Sequence, residues 1–114
     1  MPQYHEPIDK LSNSTQDFVR ALNSLKEEIE AVDWYQQRYD ATSDEKLKAI
    51  LGHNRDEEIE HACMTIEWLR RNMPGWDEEL RTYLFKTDDI VGLEDEEESY
   101  EEENTSDLGI GKIK

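Results

Sequence analysis

The sequence is poor in the residues that form disulfides, tight turns and membrane spans. Its one cysteine, Cys63, excludes an internal disulfide and suits a reducing cytosol. Three prolines and five glycines in 114 residues favour long helices over a turn-rich β fold. No window reaches the roughly 18 apolar residues of a membrane span, and the first residues lack the basic and apolar segments of a signal peptide. We expect a soluble, cytoplasmic, mostly helical protein.

Positive charge is also scarce. The chain has 13 Lys and Arg against 29 Asp and Glu, which gives a net charge of −16. Nucleic acids and anionic membranes bind proteins through cationic side chains, so this composition argues against both partners. An excess of carboxylates fits a cationic partner, and metal ions are the simplest such partner. The length allows one small domain.

Two long helices are predicted in the middle of the chain. A flexible arm over residues 1–12 comes first, and residues 13–15 offer capping side chains for a helix that runs to about Asp40. Its apolar residues recur at spacings of three and four. After a break, residues 42–45 have capping-box spacing, and a second helix continues to 72–75. Because the connection is short, the two helices should form an antiparallel hairpin.

The C-terminal part of the chain has a different character. Residues 76–85 predict a short third helix with one apolar side. Residues 87–106 read as a disordered acidic linker, since eight of the ten residues in 94–103 are acidic. The final segment, 107–114, is apolar and spaced by glycines.

A hairpin of this size is too small to bury a full core alone. Small chains cover too little of their surface, and each helix here has a single neighbour. The apolar faces should therefore pair with a second hairpin. Two identical hairpins related by a twofold axis would make a four-helix bundle.

Two glutamates are surrounded by apolar residues when each predicted helix is viewed in projection along its axis. At 100° per residue, Glu28 is central in the apolar stripe of the first helix, and Glu58 is central in that of the second. Neither stripe contains Lys or Arg. A carboxylate in an apolar seam is costly without a compensating cation, which indicates a metal ion. Glu57 and Glu60 point away from the stripe and are interpreted as solvated.

The segment Glu58-x-x-His61 places a carboxylate and an imidazole on one helix face. Ferritin-like di-iron sites use a Glu from each of two helices and Glu-x-x-His from each of the other two. This chain supplies one of each, and a symmetric dimer would supply the rest. Such a ligand set suits Fe, Mn or Zn. The alternative is a Glu–His pair that only packs in a dimer seam. Cys63 faces away and is expected to be a packing residue.

Four sequence strings carry a family resemblance. They are Glu-Glu-Ile-Glu-Ala-Val-Asp-Trp-Tyr-Gln-Gln-Arg at 27–38, Asn-Arg-Asp-Glu-Glu-Ile-Glu-His-Ala at 54–62, Glu-Trp-Leu-Arg-Arg-Asn at 67–72 and Leu-Arg-Thr-Tyr-Leu-Phe at 80–85. The chain strongly resembles the encapsulated ferritin family over most of this stretch. The resemblance implies that residues 13–86 form a ferritin-like hairpin domain.

The resemblance also implies a function. Members of this family are ferroxidases that oxidise Fe(II) at a di-iron centre built between two subunits, and the dimers assemble into an open ring of ten. By residue-wise match, Glu28, Glu58 and His61 are the ferroxidase ligands, and Tyr35 is a tyrosine near that centre. The oxidant, O2 or H2O2, is left open.

A second, outer metal site is implied as well. Glu27, Glu30 and Trp34 match an outer site on the route of iron to the centre, where calcium or zinc are further candidates beside iron. The family resides inside an encapsulin shell and is loaded by a C-terminal peptide, which residues 107–114 resemble. The expected location is therefore a nanocompartment in the cytoplasm.

Three other functions remain open at this level. The first is a non-catalytic divalent-metal-binding or iron-chaperone cargo protein. The second is a structural cargo adaptor, whose helices would only assemble. The third is a di-manganese catalase.

Overall fold

The computed structural model describes residues 4–95, and these are mostly helical with no strand among them. A short 3-10 helix at Ile8–Lys10 comes first, within the arm that the sequence predicted to be flexible. Two long helices follow, α1 over Asn13–Ala41 and α2 over Glu45–Asn72, and then a short helix, α3, over Trp76–Tyr83. The predicted all-α class, with two long helices and a short C-terminal one, is confirmed.

Contacts along the two long helices show that they are antiparallel. Arg55 Nη1 of α2 donates a 2.9 Å hydrogen bond to Gln36 Oε1 of α1. Farther from the connecting loop, the rings of Phe18 and Trp68 meet edge to face at 6.3 Å. Residue numbers therefore fall along α1 while they rise along α2, and the predicted hairpin is confirmed.

The helix starts differ in detail from the sequence prediction. Ser12, rather than residues 13–15, caps α1, because its side chain accepts a 3.0 Å hydrogen bond from the backbone N–H of Thr15. At α2 the cap is Asp44, whose carboxylate accepts a 2.9 Å bond from the N–H of Leu47. Thr42 instead bonds the N–H of Asp44 in the loop. Where several capping residues stand in a row, backbone geometry decides which one acts.

The chain divides into two compact units, the first ending at Leu69 and the second beginning at Arg70. In the second unit, α3 ends at Tyr83, two residues before the predicted end, and Phe85 has a positive φ of 60° that a continuing helix does not allow. Helical backbone resumes at residues 90–95, inside the segment predicted to be a disordered linker. The rest of that linker and the 107–114 peptide lie outside the described residues.

Burial is sparse for a chain with two long helices. Among the described residues, the buried apolar side chains are Leu25, Leu69 and Leu93. Many large apolar side chains are exposed on the hairpin, including Ile29, Trp34, Ile50, Ile59 and Met64. Apolar surface of this extent is typical of an interaction face rather than of an isolated monomer. None of the described helices has both the length and the apolarity needed to cross a membrane.

Candidate metal centre

Glu28 is held between the two long helices and has one unsatisfied oxygen. Its Oε1 accepts a 3.2 Å hydrogen bond from the Thr65 hydroxyl of α2. Its Oε2 is buried and has no hydrogen-bond partner within the described residues. Leaving a buried polar atom unpaired costs about 1–3 kcal/mol, and more when the group is charged. A cation would satisfy this oxygen, so the donor set fits a metal.

Glu58 and His61 form the pair that the spacing predicted. His61 Nδ1 and Glu58 Oε1 are 3.1 Å apart on one face of α2. The Glu58 side chain is 28% exposed and the His61 side chain 47%. The hydrogen bond with Glu58 is the main cause that raises the pKa of His61 above its usual value, and the negative charges of Glu58, Glu57 and Glu28 add to it. The carboxylates thus stabilise a positive charge on the imidazole, at the place where a cation is expected.

Thr65 connects Glu28 on α1 to the helix that carries Glu58 and His61, since its hydroxyl lies 3.2 Å from Oε1 of Glu28. Thr65 links them further, since its hydroxyl also lies 3.1 Å from the backbone carbonyl oxygen of His61. Within one chain the arrangement offers two carboxylates and one imidazole. Whether these groups bind a metal stays a prediction.

The residues assigned to supporting and outer roles lie on α1 around Glu28. Tyr35 is half-buried, and the Arg38 guanidinium stands 5.5 Å from its ring centroid. Trp34 is 49% exposed, and the same guanidinium lies 5.9 Å from its centroid. Glu27 and Glu30 are both exposed. Their exposure is compatible with the outer position that the family resemblance implies, while a metal-binding role stays a prediction.

A second cluster was not predicted as a set. Glu57, Glu60 and His61 each offer a ligand atom, and these atoms lie within 4.8 Å of one another. All three residues are exposed, and exposed acidic groups commonly gather without a metal. The sequence does contain the signal, because positions i, i+3 and i+4 share a helix face. This face lies off the apolar stripe, so the stripe alone does not distinguish Glu57 and Glu60 from solvated surface carboxylates.

Cys63 is free and exposed on α2. The expected packing role is therefore wrong for the hairpin as the structure describes it. The exposure of Cys63 agrees with the predicted direction away from the stripe.

Fold and site together define a ferritin-like helical protein with a candidate carboxylate–histidine metal centre. A sequence model of the EncFtn-like family matches residues 3–87. The chain belongs to the EncFtn-like family, and the resemblance inferred from its sequence strings is confirmed.

Individual relatives agree with this assignment. A ferritin-like protein of Thermotoga maritima is 61% identical over 111 residues, which cover 97% of each chain. An encapsulated ferritin-like protein of Rhodospirillum rubrum is 48% identical over 96% of this chain and 86% of its own. The crystal structure of protein ne0167 from Nitrosomonas europaea is 56% identical, with a TM-score of 0.74 over 76% of this chain and 96% of that one.

Proposed function

We propose that the protein is a ferroxidase that oxidises Fe(II) to Fe(III) at a di-iron centre formed across a homodimer interface. The observation that carries this proposal is the buried Oε2 of Glu28, which has no partner within the described residues. Thr65 connects Glu28 to the helix that carries the Glu58–His61 pair, so one chain holds three ligands of the two kinds that a ferritin-like centre uses, carboxylate and imidazole.

A single chain supplies too few ligands for two irons. Glu28, Glu58 and His61 give two carboxylates and one imidazole, whereas a ferritin-like di-iron site takes four carboxylates and two imidazoles. A twofold axis beside these residues doubles the set. The exposed apolar side chains of the hairpin supply surface for such pairing. A ring-shaped decamer of five dimers is the assembly that the family resemblance implies.

The reaction is a two-electron step that the donor set favours. Two Fe(II) substrate ions each lose one electron, and O2 takes up both electrons and two protons to give H2O2. With H2O2 as oxidant, the same electrons and protons give two waters. Carboxylates stabilise the higher charge of Fe(III) better than that of Fe(II), so they lower the free energy of oxidation. Tyr35 is assigned a supporting place beside the centre.

Delivery of iron is assigned to the acidic surface. The net charge of −16 attracts cations toward the chain. Glu27, Glu30 and Trp34 form the proposed outer site on that path. Calcium or zinc are further candidates for it, because exposed carboxylates bind several divalent cations.

The product would be stored in an encapsulin nanocompartment in the cytoplasm. The name of the Rhodospirillum rubrum relative describes an encapsulated protein, which supports this setting. Residues 107–114 are proposed to dock on the shell protein, joined to the hairpin domain by the acidic linker. The peptide, and the linker beyond residue 95, lie outside the described residues.

Adjacent glutamates of α2 offer a matched test. Glu58 is half-buried beside His61, and Glu57 is exposed. In aerobic Fe(II) oxidation followed by absorbance, Glu58→Gln should lose the rapid phase and Glu57→Gln should keep most of it. If instead Glu57→Gln abolishes oxidation and Glu58→Gln does not, the exposed cluster is the site and the interfacial centre is wrong.

The exposed Glu57–Glu60–His61 cluster favours a second candidate function, that of a non-catalytic divalent-metal-binding or iron-chaperone cargo protein. Such a protein would bind Fe(II) without oxidising it faster than buffer does. Comparing metal bound under anaerobic conditions with the oxidation rate in air separates the two functions.

A further inference from the structure

Thr65 is the polar side chain that joins the two halves of the candidate centre. Its hydroxyl lies 3.2 Å from Oε1 of Glu28, which is 37 residues away in sequence and on the other long helix. The same hydroxyl lies 3.1 Å from the carbonyl oxygen of His61, one turn earlier in α2. One side chain therefore contacts a ligand residue on each helix.

A hydroxyl has one hydrogen and serves one acceptor at a time. The charged carboxylate of Glu28 is the stronger of its two acceptors. The carbonyl of His61 is a helix carbonyl in mid-helix, which already accepts the N–H bond of the helix ladder. Donation to Glu28 is therefore favoured, and it fixes Oε1 while Oε2 stays buried without a partner.

We propose that Thr65 is a positioning residue that holds the Glu28 carboxylate so that Oε2, and not Oε1, faces the metal substrate. This inference rests on the proposed function. Outer hydrogen bonds of this kind orient metal ligands and limit their rotation. Thr65 itself touches no reacting atom, and its effect passes through Glu28.

The surface around Thr65 fits this role. Thr65 lines an open groove of about 380 Å³ between the helices, together with Met64 and Trp68 of α2 and Ala21 and Ser24 of α1. Without the hydroxyl, the Glu28 carboxylate would lose its hydrogen bond to α2 and would be freer to rotate. The bond from Thr65 therefore opposes rotation of the Glu28 carboxylate.

Isosteric substitution tests the hydroxyl without changing the shape of the side chain. Thr65→Val removes the donor, and Thr65→Ser restores it. The control is Thr82→Val in α3, since Thr82 also bonds the carbonyl four residues before it, at 3.0 Å from Glu78 O. The full-length chain is titrated with Fe(II) under anaerobic conditions in a calorimeter, and its Tm is measured in EDTA.

We expect Thr65→Val to bind Fe(II) on the order of 10-fold more weakly, with Thr65→Ser and Thr82→Val close to wild type. The Tm in EDTA should fall by about 4–8 °C in Thr65→Val, as expected for one lost hydrogen bond, and should change little in the other two. Wild-type affinity in Thr65→Val overturns the inference. So does a Thr65→Ser variant as weak as Thr65→Val, or a fall in the Tm of Thr65→Val that is well beyond that range.

Glu58→Gln separates this inference from the proposed function. If Glu58→Gln loses Fe(II) binding while Thr65→Val retains it, only the positioning role is wrong. If Glu58→Gln binds and oxidises Fe(II) like wild type, the proposed centre is wrong and the role of Thr65 falls with it.

Discussion

Replacing Glu28 with leucine should stabilise the metal-free protein while it removes the response to metal. The buried Oε2 has no partner within the described residues, and removing such an atom recovers about 1–3 kcal/mol. The substitution also removes the hydrogen bond from Thr65, which costs about 1 kcal/mol. The Thr65 hydroxyl keeps an acceptor, because the His61 carbonyl lies 3.1 Å away. The net expectation is a gain of about 1 kcal/mol, or about 4–8 °C in Tm for a domain of this size.

The assay is thermal unfolding at one fixed protomer concentration, in EDTA and with Zn(II) as a redox-inert probe. Fixing the concentration is necessary because assembly changes the apparent stability. In EDTA, Glu28→Leu should melt above wild type. With Zn(II), wild type should gain stability and the variant should not, since its ligand set is incomplete.

Glu30→Leu is the control in EDTA. Glu30 is exposed on the same helix, so its substitution should change stability by no more than about 0.5 kcal/mol. If Glu28→Leu is clearly less stable than both wild type and Glu30→Leu without metal, then Glu28 is a structural residue and the reasoning is refuted.

Three further predictions concern other parts of the molecule. Deleting residues 107–114 should leave Fe(II) oxidation intact and abolish loading into the encapsulin shell in a co-expression assay; loss of oxidation would mean that the segment is misinterpreted. The raised pKa of His61 means that its charged form, stabilised by Glu58, opposes metal binding at low pH. The Glu58–His61 pair therefore stabilises the metal-free chain below the unfolded histidine pKa, and this stabilisation is lost as the pH rises through the raised folded pKa. The Zn(II)-induced rise in Tm should do the opposite and increase between about pH 5.5 and about pH 8, as the imidazole loses its proton. A flat Zn(II) response would contradict this. Gly52→Ala would place a Cβ 3.1 Å from Cε2 of Tyr39, whose ring is flanked by two cationic side chains. We expect a loss of about 1 kcal/mol in urea unfolding despite the better helix propensity of alanine, and a gain in stability would show that the ring moves freely.

The hairpin could be predicted because its signals are local and repeated. Apolar residues at helical spacing define α1 and α2, and the short break between them leaves an antiparallel arrangement as the simplest solution. The starts of the helices were harder to place. Ser12 and Asp44 act as caps although their neighbours Ser14 and Thr42 have equally suitable side chains, because the choice depends on backbone angles that composition does not determine.

The sequence predicted which residues form the candidate site, but it did not predict how their side chains are arranged. Glu28, Glu58 and His61 could be found from their positions on the apolar stripes. The unpaired Oε2 and the bond from Thr65 depend on the side-chain conformation of Glu28 and on the register of α1 against α2. Both arise only when the helices are packed together, so a projection of one helix at a time could not reveal them.

The most direct test of the central claim is native mass spectrometry of the full chain during anaerobic titration with Fe(II). A centre shared between subunits predicts that wild type takes up two ions per pair of chains as dimers form, and that Glu58→Gln loses those two ions. Monomers that each bind iron, with no growth of the dimer population and no effect of Glu58→Gln, would contradict the account.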